Sequence, residues 1–79
     1  MAKKAITLTF PQELIKEPVL FQMARDFDIM PNIRRAKVDK TMGEVVLELE
    51  GTEENIEKGL DYLSRKGVKV EPVIGDIIE

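Results

Sequence analysis

The 79-residue sequence contains no cysteine, no histidine and no tryptophan. The missing cysteine excludes a disulfide framework, a thiolate nucleophile and iron–sulfur ligands, and with no histidine the common zinc sites are excluded as well. Histidine is also the most frequent general base, so a hydrolase would have to use carboxylates or lysine alone. The sequence pattern places no pair of carboxylates on neighbouring core-facing positions. The composition therefore argues against an enzyme, and we expect no cofactor and no metal.

The chain also lacks a concentration of positive charge and a long apolar run. Its formal net charge is -3 and its cations are scattered, whereas binding to nucleic acid depends on clustered Lys and Arg. No stretch of about 18 apolar residues is present to span a membrane. The basic start, Met1 to Lys4, is followed by alternation and not by the apolar segment of a signal peptide. We expect a soluble cytoplasmic protein with no nucleic-acid partner and no membrane insertion.

The length predicts a single domain over residues 1–79, with an apolar tail at 73–79. A chain of this size buries only about 60 to 65% of its extended surface on folding, so its core is small. Self-association is one way for such a domain to gain stability. We therefore predict a homodimer, joined through strand edges or through an exposed sheet face.

Period-two alternation predicts four strands. In residues 4–10 and 45–50 the apolar side chains fall on one face, and the second of these patterns is the clearest in the chain. Residues 32–38 predict a strand with Arg34, Ala36 and Val38 on the core side. Residues 39–43 predict a hairpin turn that closes through a positive φ at Gly43. Residues 68–72 predict the last strand.

Two segments predict helices. The first has Pro18 at its first position, an apolar stripe at three- and four-residue spacing, and a stop before Pro31. The second begins with Thr52 as a cap, has carboxylates in its first turn and cations in its last, and ends at Gly67.

The order strand, helix, strand, strand, helix, strand predicts an α+β domain of the ferredoxin-like βαββαβ type. Right-handed crossovers then place both helices on one face of a four-stranded antiparallel sheet. The alternative is a three-stranded sheet against which residues 68–74 merely dock.

The other face of this sheet is predicted to be largely polar. Its expected members are Thr7, Thr9, Ile33, Arg35, Lys37, Val46, Glu48, Glu50, Lys69 and Glu71. RNA-recognition domains with this layout stack bases on aromatic residues of the central strands, where this chain has Thr and Glu. On this face the predicted strand at 32–38 carries basic residues and the strand at 45–50 carries acidic ones. This pair of charged strands is either a solvated charge ladder or an interface with a second copy.

Asn32 and Arg34 are the candidate binding residues. Asn32 follows a helix stop and Pro31, and its amide can both donate to a carboxylate and accept from an ammonium group. Arg34 could hold a carboxylate through two parallel hydrogen bonds, provided that no bulge rotates it away from the helices. The structural alternatives are that Asn32 caps a turn and that Arg34 extends past the sheet edge. Met23, Met30 and Met42 would form an apolar pocket only if they converge; a core position for Met23 and exposure of Met42 are the alternative.

The chain resembles the NIL domain, a regulatory module found behind the ATPase of bacterial methionine importers and beside ferredoxin-type iron–sulfur segments. The resemblance runs nearly end to end in order and spacing. It is carried by Leu8-Thr9-Phe10, Glu17-Pro18-Val19, Arg25-Asp26-Phe27, Asn32-Ile33 where the family has Asn-Ile-Leu, Leu47-Glu48-Leu49, Tyr62-Leu63 and Lys66-Gly67-Val68-Lys69-Val70.

The resemblance implies a ferredoxin-like domain that pairs with a second copy and binds methionine near Asn32, Ile33 and Arg34. This chain departs from the family at Arg34, where the family has leucine, and in its short turn at 39–43. It contains no Walker A glycine loop, so a sensing role would act on a separate protein. Two functions are therefore expected as alternatives: a sensor of methionine or a related sulfur amino acid, and a ligand-free protein-interaction or assembly module that serves sulfur amino-acid metabolism or an importer.

Overall fold

The computed structural model describes residues 1–73 and shows a four-stranded antiparallel sheet with two helices. The elements are β1 (Ala2–Pro11), a 3-10 turn (Gln12–Leu14), α1 (Val19–Phe27), β2 (Met30–Val38), β3 (Met42–Gly51), α2 (Glu53–Lys66) and β4 (Lys69–Pro72). The strand order is β2-β3-β1-β4. This is the predicted ferredoxin-like arrangement, and β4 pairs with β1, so the three-stranded alternative is wrong. The predicted tail lies outside the described residues from position 74 onward.

The core lies between one face of the sheet and both helices. It is formed by alternate residues of the two central strands and by one stripe of each helix, among them Ile6, Leu8, Leu47, Leu49, Val19, Met23, Ile56 and Leu63. Burying each such side chain contributes about 1.5–3 kcal/mol relative to leaving it in water. Met23 is completely buried and Met42 is exposed, so the methionines do not converge on a pocket, and the expected core position of Met23 and exposure of Met42 are confirmed. Within residues 1–73, no helix is long and apolar enough to cross a membrane.

Both helices end through left-handed residues. Asp28 closes α1 with φ 55°, and Gly67 closes α2 with φ 106°. At its start, α2 is capped as predicted, because the Thr52 hydroxyl accepts a hydrogen bond from the Asn55 N–H at 3.0 Å. Pro18 is the residue before α1 and not its first helical residue.

The helices approach each other closely at Gly59. A Cβ atom at this position would lie 2.5 Å from Ile29 Cδ1 and 2.9 Å from Met23 Sδ. Both of these side chains are buried, so a glycine is needed here for space and not for backbone freedom.

β2 differs most from the sequence-based expectation. Ala36 and Val38 were expected in the core, and they do lie on the helix side of the sheet, opposite Val45 and Gly43. However, β2 is an edge strand beyond the helices, and Val38 is 61% exposed. The hairpin turn is also tighter than expected, since Asp39 and Met42 already pair. Gly43 therefore belongs to β3, and Gly67 is the glycine with positive φ among the described residues.

Candidate functional site

A β-bulge in β2 decides where the predicted binding residues point. Asn32 pairs with Glu48 and Ile33 with Leu47, but the next pair is Arg35 with Val46. Arg34 is therefore an extra residue with no position of its own on β3, the arrangement of a β-bulge. The chain beyond it is shifted by one residue relative to strict alternation.

The bulge separates the three predicted site residues. Ile33 lies on the helix side with Leu47, whereas it was expected on the open face. Asn32 lies on the open face with Glu48, and the Arg34 guanidinium also reaches Glu48 there, with 3.5 Å between Nη2 and Oε1. Asn32 and Arg34 therefore come together, and Ile33 points away from them.

Asn32 and Arg34 border a recess of about 310 Å³ on the open face. Its lining residues are Lys3, Met30, Pro31, Asn32, Arg34, Glu48 and Glu50. The chain fold brings these residues together because Lys3 of β1 and Met30 of β2 both pair with Glu50 of β3. The recess thus combines two cations, two carboxylates, one amide and one thioether side chain.

This set of groups is complementary to a zwitterion. A cation can bind a ligand carboxylate, a glutamate can bind its ammonium group, and Asn32 can do either. The Arg34–Glu48 contact of 3.5 Å is longer than the 2.7–2.9 Å of a strong charge-assisted hydrogen bond. The Arg34 guanidinium therefore keeps donors available for a ligand.

A second concavity lies on the helix side, at the other end of β2. It has a volume of about 190 Å³ and is lined by Phe10, Leu14, Ile15, Glu17, Pro18, Leu20, Phe21, Val38, Gly43 and Val45. Glu17 is its one charged lining residue. We call it the apolar groove. It can accept an apolar side chain, but it offers little for recognising a charged small molecule.

The hairpin turn that sets the register of β2 is held by Asp39. Its carboxylate accepts hydrogen bonds from the Thr41 N–H at 2.8 Å, the Met42 N–H at 3.0 Å and the Thr41 hydroxyl at 2.9 Å. The Thr41 N–H is the largest of the causes that hold the pKa of Asp39 below its ordinary value, followed by the Met42 N–H. Sequence reasoning placed a turn here but did not identify this side chain as its anchor.

Among residues 1–73, no group of three or more Asp or Glu side chains is arranged to hold a metal ion. The two acidic residues at the start of α2 occupy its first turn, where carboxylates interact favourably with the helix dipole.

Comparison with known proteins identifies relatives along most of the chain. It is 34% identical over 74 residues to methionine import ATP-binding protein MetN 1 of Listeria monocytogenes serotype 4b, a match covering 89% of this chain and 22% of that protein. It is 35% identical over 65 residues to the L-aspartate semialdehyde sulfurtransferase iron-sulfur subunit of Methanocaldococcus jannaschii, covering 82% of this chain and 50% of that protein. The chain thus spans about a fifth of the importer proteins and half of the iron–sulfur subunit.

A solved structure shares the fold. The C-terminal domain of an ABC transporter / ATP-binding protein from Enterococcus faecalis superposes with a TM-score of 0.78 at 21% identity, covering 92% of this chain and 86% of that one. The family model for the NIL domain matches residues 4–72. The chain therefore belongs to the NIL domain family, as the sequence resemblance indicated.

Proposed function

We propose that this domain is a non-catalytic sensor that binds methionine or a related sulfur amino acid in the open-face recess. The observation that carries the proposal is the recess itself, where Asn32 and Arg34 lie beside Glu48, Glu50 and Lys3. Two of the relatives carry names tied to methionine import and to sulfur transfer. Both names are compatible with a sulfur amino acid as ligand.

In this proposal each part of the ligand has a partner. The α-carboxylate is held by Arg34 and Lys3, and the α-ammonium group is held by Glu48 and Glu50. The Met30 side chain is 66% exposed at the edge of the recess and can cover the thioether of the ligand. Asn32 fixes the orientation, because its amide can donate to the carboxylate while it accepts from the ammonium group.

Calorimetric titration with L-methionine and homocysteine tests the proposal. N-acetylmethionine lacks the ammonium group and methionine methyl ester lacks the carboxylate, so each is expected to bind at least tenfold more weakly than methionine. Equal affinity for all three compounds would show that the recess recognises neither the ammonium group nor the carboxylate of methionine. No heat with methionine or homocysteine would contradict the sensor.

Variants locate the site. Asn32→Ala is expected to abolish binding and to leave the thermal midpoint nearly unchanged, because Asn32 is exposed. Asn55→Ala, which changes the other asparagine of the chain, is the matched control and should bind normally. Arg34→Leu restores the residue usual in the family and removes the proposed carboxylate clamp. Unchanged affinity in this variant would remove Arg34 from the site, and tight binding by Asn32→Ala would remove Asn32.

The second candidate function is a ligand-free interaction or assembly module. It is favoured by the apolar groove and by Phe21, which lies on its wall and is 63% exposed. Relatives in which this domain is a fifth to a half of a longer protein are compatible with a partner-binding role. Absence of amino-acid binding together with an intact fold would favour this function.

The proposal includes a homodimer and a cytoplasmic location. The small core and the exposed apolar residues of β2 support self-association. The importer relatives are named ATP-binding proteins, and ATP is supplied in the cytoplasm. Sedimentation that shows a monomer at high concentration would contradict the homodimer.

A further inference from the structure

β2 ends the sheet on one side and leaves one strand edge without a neighbour. It spans nine residues, whereas β4, at the other end of the strand order, spans four. The bulge at Arg34 leaves residues 35–38, next to the hairpin turn, as the regular part of this edge. An exposed strand edge is a template for pairing with another strand, and the side chains beside it decide which segments it accepts.

The hairpin turn shows which backbone groups of β2 point outward. The Asp39 N–H donates to the Met42 carbonyl at 2.9 Å, so this pair is hydrogen-bonded across the hairpin. Antiparallel pairs alternate between bonded and non-bonded, and Val38 and Ala36 therefore belong to pairs that do not bond β3. Their N–H and C=O groups point to the free edge, where a further strand can bond them.

On the helix side, this part of the edge is apolar. Ala36 and Val38 lie there, opposite Val45 and Gly43. The Val38 side chain is 61% exposed and lines the apolar groove. An apolar side chain placed beside Val38 by a further strand would therefore lie at the mouth of the groove and cover surface that is now in water.

On the open face, the same part of the edge is basic. Arg35 and Lys37 lie there, opposite Val46 and Glu44, and both cations are exposed. The ion pairs within residues 1–73 include neither of them. The open-face side of the edge therefore offers two cations to a segment that lies beside it.

We propose that the β2 edge binds an extended segment of another protein in which acidic and apolar residues alternate. The segment pairs with residues 35–38 in the antiparallel orientation, which is the more stable one per residue. Its acidic side chains lie beside Arg35 and Lys37 on the open face, and its apolar side chains lie beside Ala36 and Val38 on the helix side. The proposal names the partner of the interaction module, the second candidate function, and rests on it; it does not depend on ligand sensing.

A second copy of this chain fits the same edge less well than an acidic segment does. β2 contains three cations and no carboxylate. Across an antiparallel pair, side chains on the same face are neighbours, so two paired β2 strands would bring their cations together. Like charges at facing positions are unfavourable and opposite charges are favourable. The side chains that weaken self-pairing therefore select an acidic partner.

The small size of the contact sets the expected affinity. A short segment gains the outward backbone hydrogen bonds of Ala36 and Val38, two exposed ion pairs and an apolar contact at the groove. Exposed ion pairs contribute little individually and are screened by salt. We expect a dissociation constant on the order of 100 μM for an isolated segment at low salt, and weaker binding as the salt concentration rises.

Three capped peptides test the proposal by ¹H–¹⁵N titration. The acidic peptide acetyl-Val-Glu-Val-Glu-Val-amide should bind about tenfold more tightly than its basic counterpart acetyl-Val-Lys-Val-Lys-Val-amide and than acetyl-Glu-Glu-Val-Val-Val-amide, which has the same composition without alternation. Equal affinity for all three would overturn the selection of an acidic, alternating segment. No shift with the acidic peptide at about 1 mM would overturn the docking itself.

Hydrogen exchange locates the bound peptide on the backbone. The amides of Ala36 and Val38 should exchange more slowly when the acidic peptide is bound, whereas those of Arg35 and Lys37, which already bond β3, should change little. Protection confined to another strand would overturn the proposed edge. A second copy would be the occupant, and the proposal wrong, if the Ala36 and Val38 amides were protected without peptide at high protein concentration and lost this protection on dilution.

Variants test the charges and the backbone separately. Changing both Arg35→Glu and Lys37→Glu should invert the preference, so that the basic peptide binds more tightly than the acidic one; Lys69→Glu, on the same face at the β4 edge, is the control and should not. Ala36→Pro removes one outward N–H at a position where proline is compatible with an edge strand, and it should weaken binding about tenfold in a folded protein. An unchanged preference in the double variant, or full affinity in Ala36→Pro, would overturn the proposal.

Methionine titration keeps this proposal separate from the proposed function. Neither Arg35 nor Lys37 lines the open-face recess, so methionine binding in the double variant should equal that of wild type. Wild-type calorimetry decides between sensor and interaction module without any peptide. Failure of the peptides would refute the β2 edge as the docking site and would leave that result as it stands.

Discussion

Gly59→Ala probes the contact between the two helices. The added Cβ would lie 2.5 Å from Ile29 Cδ1 and 2.9 Å from Met23 Sδ, both in buried side chains. Overpacking of this kind typically costs about 1–3 kcal/mol. Replacing a helical glycine by alanine returns about 1 kcal/mol of helix propensity. We therefore expect a net loss of about 1 kcal/mol in the free energy of unfolding, which lowers the thermal midpoint by about 4–8 °C in a domain of this size.

A double-mutant cycle with Ile29→Val separates the clash from other effects. Ile29→Val removes the Cδ1 atom that the new methyl group meets, and by itself it should cost about 1 kcal/mol. In the Gly59→Ala background that cost should largely disappear, giving a coupling energy of about 1 kcal/mol. Chemical denaturation measures all four proteins, with Ser64→Ala on the exposed face of α2 as the reference for propensity. The close approach would be refuted if Gly59→Ala stabilised the protein and its effect on the free energy of unfolding simply added to that of Ile29→Val.

Two further predictions concern local hydrogen bonds. Thr52→Ala removes the cap of α2 and should lower the free energy of unfolding by about 1 kcal/mol, which is measured as a fall in the thermal midpoint. Thr52→Ser should retain most of the stability. An equal loss in both variants would contradict a capping role. The pKa of Asp39 is held below its unfolded-state value. The ionised Asp39 carboxylate therefore contributes to the stability of the fold above about pH 4, and this contribution is lost as pH falls through the folded-state pKa. The stability gap between wild type and Asp39→Ala should therefore shrink between pH 6 and pH 3; a gap that does not change with pH would show that the carboxylate is not the anchor.

The local signals of α2 and β3 were sufficient to predict those elements. Thr52 and Gly67 mark the ends of α2, and both act as predicted. The alternation of β3 correctly identified its core-facing residues. In both elements local propensity, patterning and tertiary packing agree, which is why single-sequence reasoning succeeds there.

β2 could not be predicted equally well, for two physical reasons. Its alternation showed which side Ala36 and Val38 face, but coverage by helices depends on tertiary placement, and β2 lies beyond them. The bulge at Arg34 is a second tertiary feature, and it reversed the expected faces of Ile33 and Arg34. One signal was present: the apolar residues of the strand are spaced by three between positions 33 and 36 and by two elsewhere.

The spacing of β2 leads to a final prediction. Arg34 and Arg35 are adjacent and identical in type, so deletion of one removes the bulge and leaves Ile33, one arginine, Ala36, Lys37 and Val38 in strict alternation. Every remaining side chain keeps the face it has now, and the protein should fold with a thermal midpoint within a few degrees of wild type.

The same deletion separates fold from function. It removes the arginine that reaches Glu48, so methionine binding in the recess should weaken even though the sheet is intact. Deletion of Val46 in β3 is the control, because there a one-residue shift moves buried side chains to the open face and should unfold the protein. The ¹H–¹⁵N spectrum reports folding, and calorimetry reports binding. An unfolded arginine-deletion variant would mean that the bulge is required for the sheet, whereas a folded variant with full affinity would show that the extra residue does not serve the ligand.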